Sequence, residues 1–148
     1  MWFWASIRLH SLDEAVRFMI LGVGLDLCPI ERMQRALERS GSRFSQKVFT
    51  EAERAYCSAR GQPAQHFAAR FAAKEATLKA LGVPSGLSWH ELEVVSTAGG
   101  APELRLSGVA ATLAAERGIR RLHLSLTHSG NMAAAVVIIE GGPLVTSL

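Results

Sequence analysis

Cysteine is nearly absent from this chain of 148 residues: Cys28 and Cys57 are the only two, and they lie far apart. Neither belongs to a CxxC or Cys/His cluster, which excludes a disulfide framework and leaves zinc without a ligand set. Both thiols read as reduced and structural, in keeping with a cytoplasmic location. No apolar run approaches the ~18 residues of a membrane-spanning helix, so no membrane partner is expected. No GxxxxGK[ST] segment is present, and Gly22 and Gly24 are not followed by dinucleotide-binding spacing. Aromatic residues are scarce, at 7% with one Tyr, and do not alternate with the basic residues as base-stacking platforms would. Nucleic acid is therefore not an expected partner. The 16 Lys and Arg against 13 Asp and Glu leave a net charge of +3. That mild excess suits an anionic substrate or an acidic protein.

What is present reads as a single domain able to bury about two thirds of its unfolded surface. Residues 20–26 form an apolar, glycine-containing strand. Pro29 suits the first turn of a helix over 29–40, and the Ser40-Gly41-Ser42 segment is a loop. Thr50-Glu51-Ala52-Glu53 has the form of a capping box opening a helix over 50–59, which Gly61-Gln62-Pro63 interrupts. A long helix covers 64–81, followed by a loop to Gly86. Strands at 92–96 and 103–106 flank a turn at 98–100, a helix spans 108–117, and strands at 121–127 and 133–139 close the chain around a His128-Ser129-Gly130-Asn131 turn. This order is α+β, with one long central helix against a mostly antiparallel sheet. The closing strand, Ala133 to Ile139, is apolar on both faces, so both should be covered, one of them by another subunit.

Two stretches carry chemistry. Arg70 to Gly82, RFAAKEATLKALG, is a strong helix former that places Glu75 and Lys79 four residues apart on one face. The pair is either a surface ion pair worth a few tenths of a kcal/mol, or a metal ligand beside a phosphate clamp. Asp26 follows a buried strand, where a carboxylate can face a cleft or simply support the next helix. A third feature is the row Arg32, Arg35 and Arg39 on one helical face, with Arg43 and Lys47 beyond it. It is a solvated face, with Glu31 and Glu38 partly offsetting it, or a docking surface for an acidic partner. His10, His66, His90 and His123 have no ligand spacing and read as solvated or locally hydrogen-bonded.

Together, GxGxDL…IER at the start, RFAAKEA…KALG in the middle and LSLTHSGNMAAAVV at the end resemble holo-acyl-carrier-protein synthase, of the 4′-phosphopantetheinyl transferase family. The resemblance runs from about Met19 to Glu140. It implies transfer of 4′-phosphopantetheine from coenzyme A to a serine of apo acyl carrier protein, with release of adenosine 3′,5′-bisphosphate. It implies magnesium held by Asp26 and Glu75, and Lys79 near the coenzyme A phosphates. Arg70 and His128 match positions that contact coenzyme A, with Gly82 and Ser129 beside it. Arg32, Arg43 and Phe44 match the surface that meets the carrier. A homotrimer with active sites between subunits is also implied, and a fatty-acid carrier is the default partner. These residue types suit the reaction, because cleaving a pyrophosphate linkage is mostly positioning and charge neutralisation.

Two departures from the family remove a positive charge each: Gly130-Asn131 after the His-Ser pair, and Gly100-Ala101-Pro102 where Gly-Lys-Pro is usual. They leave open a reading in which the fold persists with weakened coenzyme A binding. A reading from another class is a non-catalytic module that binds anions or nucleic acid on the Arg32/Arg35/Arg39 face. Residues 1–18 lack the basic start, continuous apolar centre and cleavage site of a signal peptide, and read as an extension ahead of a native start at Met19. The domain is expected over 19–140, with a loose tail over 141–148.

Overall fold

The computed structural model describes residues 18–142, so the expectations for residues 1–17 and 143–148, His10 included, lie outside the described residues. The elements run β1 (Met19–Pro29), α1 (Ile30–Ser40), α2 (Ser42–Val48), α3 (Glu51–Ser58) and α4 (Pro63–Ala80). After a single 3-10 turn at Trp89–Glu91 come β2 (Leu92–Ser96), β3 (Pro102–Leu106), α5 (Gly108–Glu116), β4 (Ile119–Ser129) and β5 (Met132–Gly141). The α+β expectation holds. One sheet has the order β1-β5-β4 and the other is the β2–β3 hairpin; all pairings are antiparallel.

The main sheet packs its inner face against α4. Ala133, Ala135, Val137 and Ile139 of β5 are buried on that face, as are Ala68, Ala72, Ala76 and Ala80 of the helix. Small side chains on both sides bring the helix unusually close. Gly22 and Gly24 of β1 lie under it: a Cβ on Gly24 would stand 1.7 Å from the Ala76 carbonyl oxygen, and one on Gly22 would stand 2.1 Å from that of Ala80. The two glycines of the opening motif are therefore required by helix–strand contact. A second attachment of α4 is polar. Lys74 is fully buried, pairs with Glu53 at 2.9 Å and donates to the carbonyls of Trp89 and Leu92. Glu53 also accepts from the Val94 backbone and closes the capping box with Thr50. Such a pair, with every group satisfied, locks α3, α4 and β2 in one arrangement.

Several boundaries differ from expectation. Asp26 lies within β1, three residues before its end at Pro29, and Gly141 still belongs to β5. His128 and Ser129 belong to β4, so the closing turn is Gly130-Asn131 alone. Gly130 has φ +55° and Asn131 does not share a positive φ, the pattern of a two-residue II′ hairpin turn with glycine first. Asn131 also serves α1: its side-chain oxygen and its carbonyl accept from the backbone N–H groups of Glu31 and Ile30. It thereby caps that helix, whose own N-cap, Pro29, offers no side-chain bond. The helix α2 was not expected, and the outer face of the sheet is uncovered among the described residues. Val23, Leu25 and Leu27 of β1 are each more than half exposed there, next to Val136 and Ile138.

Candidate active site

On α4 the five-residue step from Arg70 to Glu75 turns the helix through about 140°, whereas Glu75 to Lys79 turns it only about 40° past a full turn. Arg70 and the Glu75/Lys79 pair therefore leave opposite flanks of the helix. The strands repeat that separation. Asp26 pairs with Ala135 on β5, which pairs with Leu126 on β4, and His128 lies one inward position further along. Asp26 and His128 thus share the inner face but stand two strands apart, about 10 Å laterally, with α4 between them.

The result is two cavities. The first, of about 340 Å³, is lined by Asp26, Cys28, Arg32, Met33, Phe44, Phe71 and Glu75, among others. It brings together both candidate metal carboxylates with two of the three expected carrier-contact residues. Lys79 stands beside it, donating to Asp26 Oδ1 at 2.9 Å and to the Leu25 carbonyl at 3.0 Å. Its ion-pair partner is Asp26 of β1, 53 positions away, and no pair with Glu75 forms. Burial, and then the Asp26 charge, raise the Glu75 carboxyl above its ordinary pKa. The hydrogen bond to Asp26 raises Lys79. Burial and the same carboxylate push the Cys28 thiol up to about 11, so it stays protonated. Cys57, also free and buried, stands at about 11 for the same leading cause.

The second cavity, of about 230 Å³, is lined by Tyr56, Gln65, His66, Arg70, Ser96, Gly100, Pro102 and His128, among others. Arg70 is 3% exposed and donates to Ser96 Oγ at 3.2 Å, while its Nε is buried without a partner. His128 bonds Gln65 at 3.0 Å. His66 is not merely a surface histidine: burial, and then Arg70, lower its pKa and favour the neutral ring. The other two histidines are local, His90 with the Gln46 carbonyl and His123 with Glu140. Tyr56 and His66 escaped the sequence reading; the available signal was the four-residue step from His66 to Arg70, which puts both on one flank.

The remaining expected residues lie outside both cavities. Gly82, with φ +73°, ends α4 one turn past Lys79, and Ser129 ends β4 next to His128. Arg43 is exposed on α2 beside Phe44, and Arg35 and Arg39 are exposed on α1 beyond Arg32. Among the described residues no three His, Cys, Asp or Glu side chains cluster as metal ligands. The two carboxylates of the first cavity are hard oxygen donors, and two are enough for a magnesium ion whose other ligands are water and phosphate oxygens. No helix among the described residues is long and apolar enough to cross a membrane.

Comparison with known proteins identifies the family of the chain. The family model of the 4′-phosphopantetheinyl transferase superfamily matches residues 22–137. A holo-[acyl-carrier-protein] synthase of Anaeromyxobacter dehalogenans is 54% identical over 129 residues, 84% of this chain and 100% of the relative. That of Geotalea daltonii is 48% identical over 124 residues, 82% of this chain and 99% of the relative. Among solved structures, the Neisseria meningitidis holo-[acyl-carrier-protein] synthase superposes with a TM-score of 0.74 at 30% identity, covering 82% of this chain and 98% of that one. The Helicobacter pylori enzyme, solved in complex with coenzyme A, gives 0.70 at 28% identity over 79% of this chain and 98% of that one. The chain belongs to the 4′-phosphopantetheinyl transferase superfamily, and within it to the holo-[acyl-carrier-protein] synthases.

Proposed function

We propose that the two cavities are the halves of one active site, at which this transferase moves 4′-phosphopantetheine from coenzyme A to a serine of apo acyl carrier protein. Adenosine 3′,5′-bisphosphate leaves. The observation that carries this reading is the division itself: paired carboxylates with a lysine on one flank of α4, a buried arginine without a carboxylate partner and a histidine on the other. Coenzyme A presents phosphate groups to both.

Arg70 and His128 hold the nucleotide end of coenzyme A, and Lys79 neutralises the pyrophosphate beside Asp26. Asp26 and Glu75 would hold magnesium, which when bound supplies positive charge to the pyrophosphate oxygens. The attacking serine belongs to the carrier, so this chain needs no nucleophile of its own. Arg32, Arg43 and Phe44 receive the carrier, with Phe44 and Phe71 flooring the first cavity and Arg32 meeting the carrier's acidic surface. A fatty-acid carrier is the partner we favour, in the cytoplasm, in fatty acid and lipid biosynthesis.

The helix α4 separates the halves within a single chain, and the outer sheet face carries the exposed Val23, Leu25 and Leu27. Both features support a homotrimer in which one subunit's carboxylates meet the next subunit's cations, with Val23, Leu25 and Leu27 buried between subunits.

The test is intact-mass measurement of an apo fatty-acid carrier protein after incubation with enzyme, coenzyme A and magnesium. A phosphopantetheine-sized gain is expected, lost with EDTA and with Glu75→Ala. Glu75→Ala and Arg70→Ala chains, each inactive alone, are then co-refolded in equal amounts. Intersubunit sites restore activity to about one quarter of wild type, since about one site in four joins two intact halves in a random closed ring. No recovery in mixed trimers would place both halves in one chain and sink the shared-site reading.

A further inference from the structure

A buried arginine without a carboxylate needs another source of stabilisation, and Arg70 has one in the only tyrosine of the chain. Its guanidinium carbon lies 3.9 Å from the centroid of the Tyr56 ring, and that of Arg60 lies 4.1 Å from the same centroid. Both guanidinium groups therefore lie against this one ring. His66 meets the ring edge-on at 5.9 Å. Tyr56 sits in the last turn of α3, which the buried Glu53–Lys74 pair and the Glu53 bond to Val94 fix against α4 and β2. The ring is thus presented from a rigid base, and it lines the second cavity alongside Arg70, Ser96 and His128.

We propose that Tyr56 is a positioning residue for substrate binding: its ring, which Arg60 also contacts, holds the Arg70 guanidinium in the orientation in which it meets the anionic end of coenzyme A. The aromatic face attracts the cation without consuming its charge, as a carboxylate partner would. Arg70 is therefore held in place and left free to pair with phosphate. Ser96 adds one hydrogen bond at 3.2 Å, which leaves donors over for an anion. The inference rests on the reading of this cavity as the coenzyme A half-site.

The experiment measures coenzyme A binding by titration calorimetry, and kcat and KM for both substrates, in Tyr56→Leu, Tyr56→Phe and Arg70→Ala. Tyr56→Leu is expected to raise the coenzyme A Kd and KM about tenfold, in line with a cation–π contact of this kind, with the carrier KM unchanged. Tyr56→Phe keeps the face and should stay within about threefold of wild type. Loss of affinity in Arg70→Ala with none in Tyr56→Leu would overturn the inference and leave the half-site reading standing. An equal fall in Tyr56→Phe and Tyr56→Leu would also overturn it, by assigning the effect to the hydroxyl. Unchanged affinity in Arg70→Ala would instead overturn the half-site reading. Should Tyr56→Leu fail to fold, Arg60→Ala, at an exposed residue on the same ring, decides: a two- to threefold rise in coenzyme A Kd supports the inference, and no rise overturns it.

Discussion

Replacing Gly24 with alanine is the sharpest challenge to the geometry that builds the first cavity. The added Cβ would stand 1.7 Å from the Ala76 carbonyl oxygen, 2.7 Å from its carbon and 2.9 Å from the Ala80 nitrogen. All three atoms belong to the α4 backbone, so no side chain can swing aside. Ordinary contact begins at 3.4 Å, and 3.4 − 1.7 leaves 1.7 Å by which helix and strand must separate at this point. Separation loosens the contact between Ala72, Ala76 and Ala80 and the sheet. It also carries Glu75 and Lys79 away from Asp26, breaking a 2.9 Å ion pair. Forced overpacking of this kind costs about 3 kcal/mol. That is a large part of a typical total stability, and corresponds to a fall in Tm of roughly 10 °C for a domain of this size. Thermal unfolding by circular dichroism measures it, with Gly61→Ala as control, since a Cβ there meets nothing within 4 Å. A Gly24→Ala protein that melts within 2 °C of wild type, by the same conversion of about 3 °C per kcal/mol, would refute the argument.

Other substitutions separate the roles of individual groups. Folding raises the Glu75 pKa, so the native state keeps that proton longer than the unfolded chain does. Stability therefore falls as pH rises from the ordinary Glu range through the raised value, and the ionised side chain is a cost above it. Glu75→Gln should abolish turnover yet raise Tm in EDTA at neutral pH, with the gain vanishing below about pH 4, where both states are protonated; an unchanged or lower Tm at neutral pH would contradict the assigned shift. Arg32→Glu should raise the carrier KM at least tenfold, by about 1.4 kcal/mol of lost and reversed attraction, while coenzyme A binding stays constant; equal loss of both would count against a docking role. Asn131→Ala removes the cap of α1 and should cost about 1 kcal/mol, or roughly 3 °C in Tm, without a change in the coenzyme A KM.

The parts of this fold that sequence patterns reveal are those whose physics is local. The Thr50–Glu53 capping box, the helix containing Glu75 and the β2–β3 hairpin each follow from residues a few positions apart. The parts that escape are those settled by partners far along the chain. The helix α2 follows Gly41, has no side-chain cap and spans seven residues, too short for its period to stand out. Nothing in the residues around Lys74 marks it as a core residue, yet it is buried because α3 delivers Glu53 to it. Lys79 reads as the helical partner of Glu75, yet the inward face of β1 brings Asp26 closer. The cap of α1 comes from Asn131, 100 positions from the backbone N–H it receives.

The candidate site shows the same division at a larger scale. Every residue that the motifs single out for the phosphate chemistry is present, but the motifs give no sign that Arg70 and Glu75, five positions apart, serve different cavities. That follows from the helical turn: about 140° of rotation sends them to opposite flanks, and the close glycine contact presses α4 onto the sheet so that neither can reach across. The same alanines and glycines that keep the helix close therefore divide the site. A sheet face of Val23, Leu25, Leu27, Val136 and Ile138 left uncovered among the described residues, together with the divided site, supports the proposed assembly of several chains. On the proposed shared-site reading, a carrier protein and a coenzyme A that bridge both halves find a complete site where two copies of the chain meet. Disrupting the outer face, as with Leu25→Asp, should in consequence remove transfer activity without touching a residue that lines either cavity.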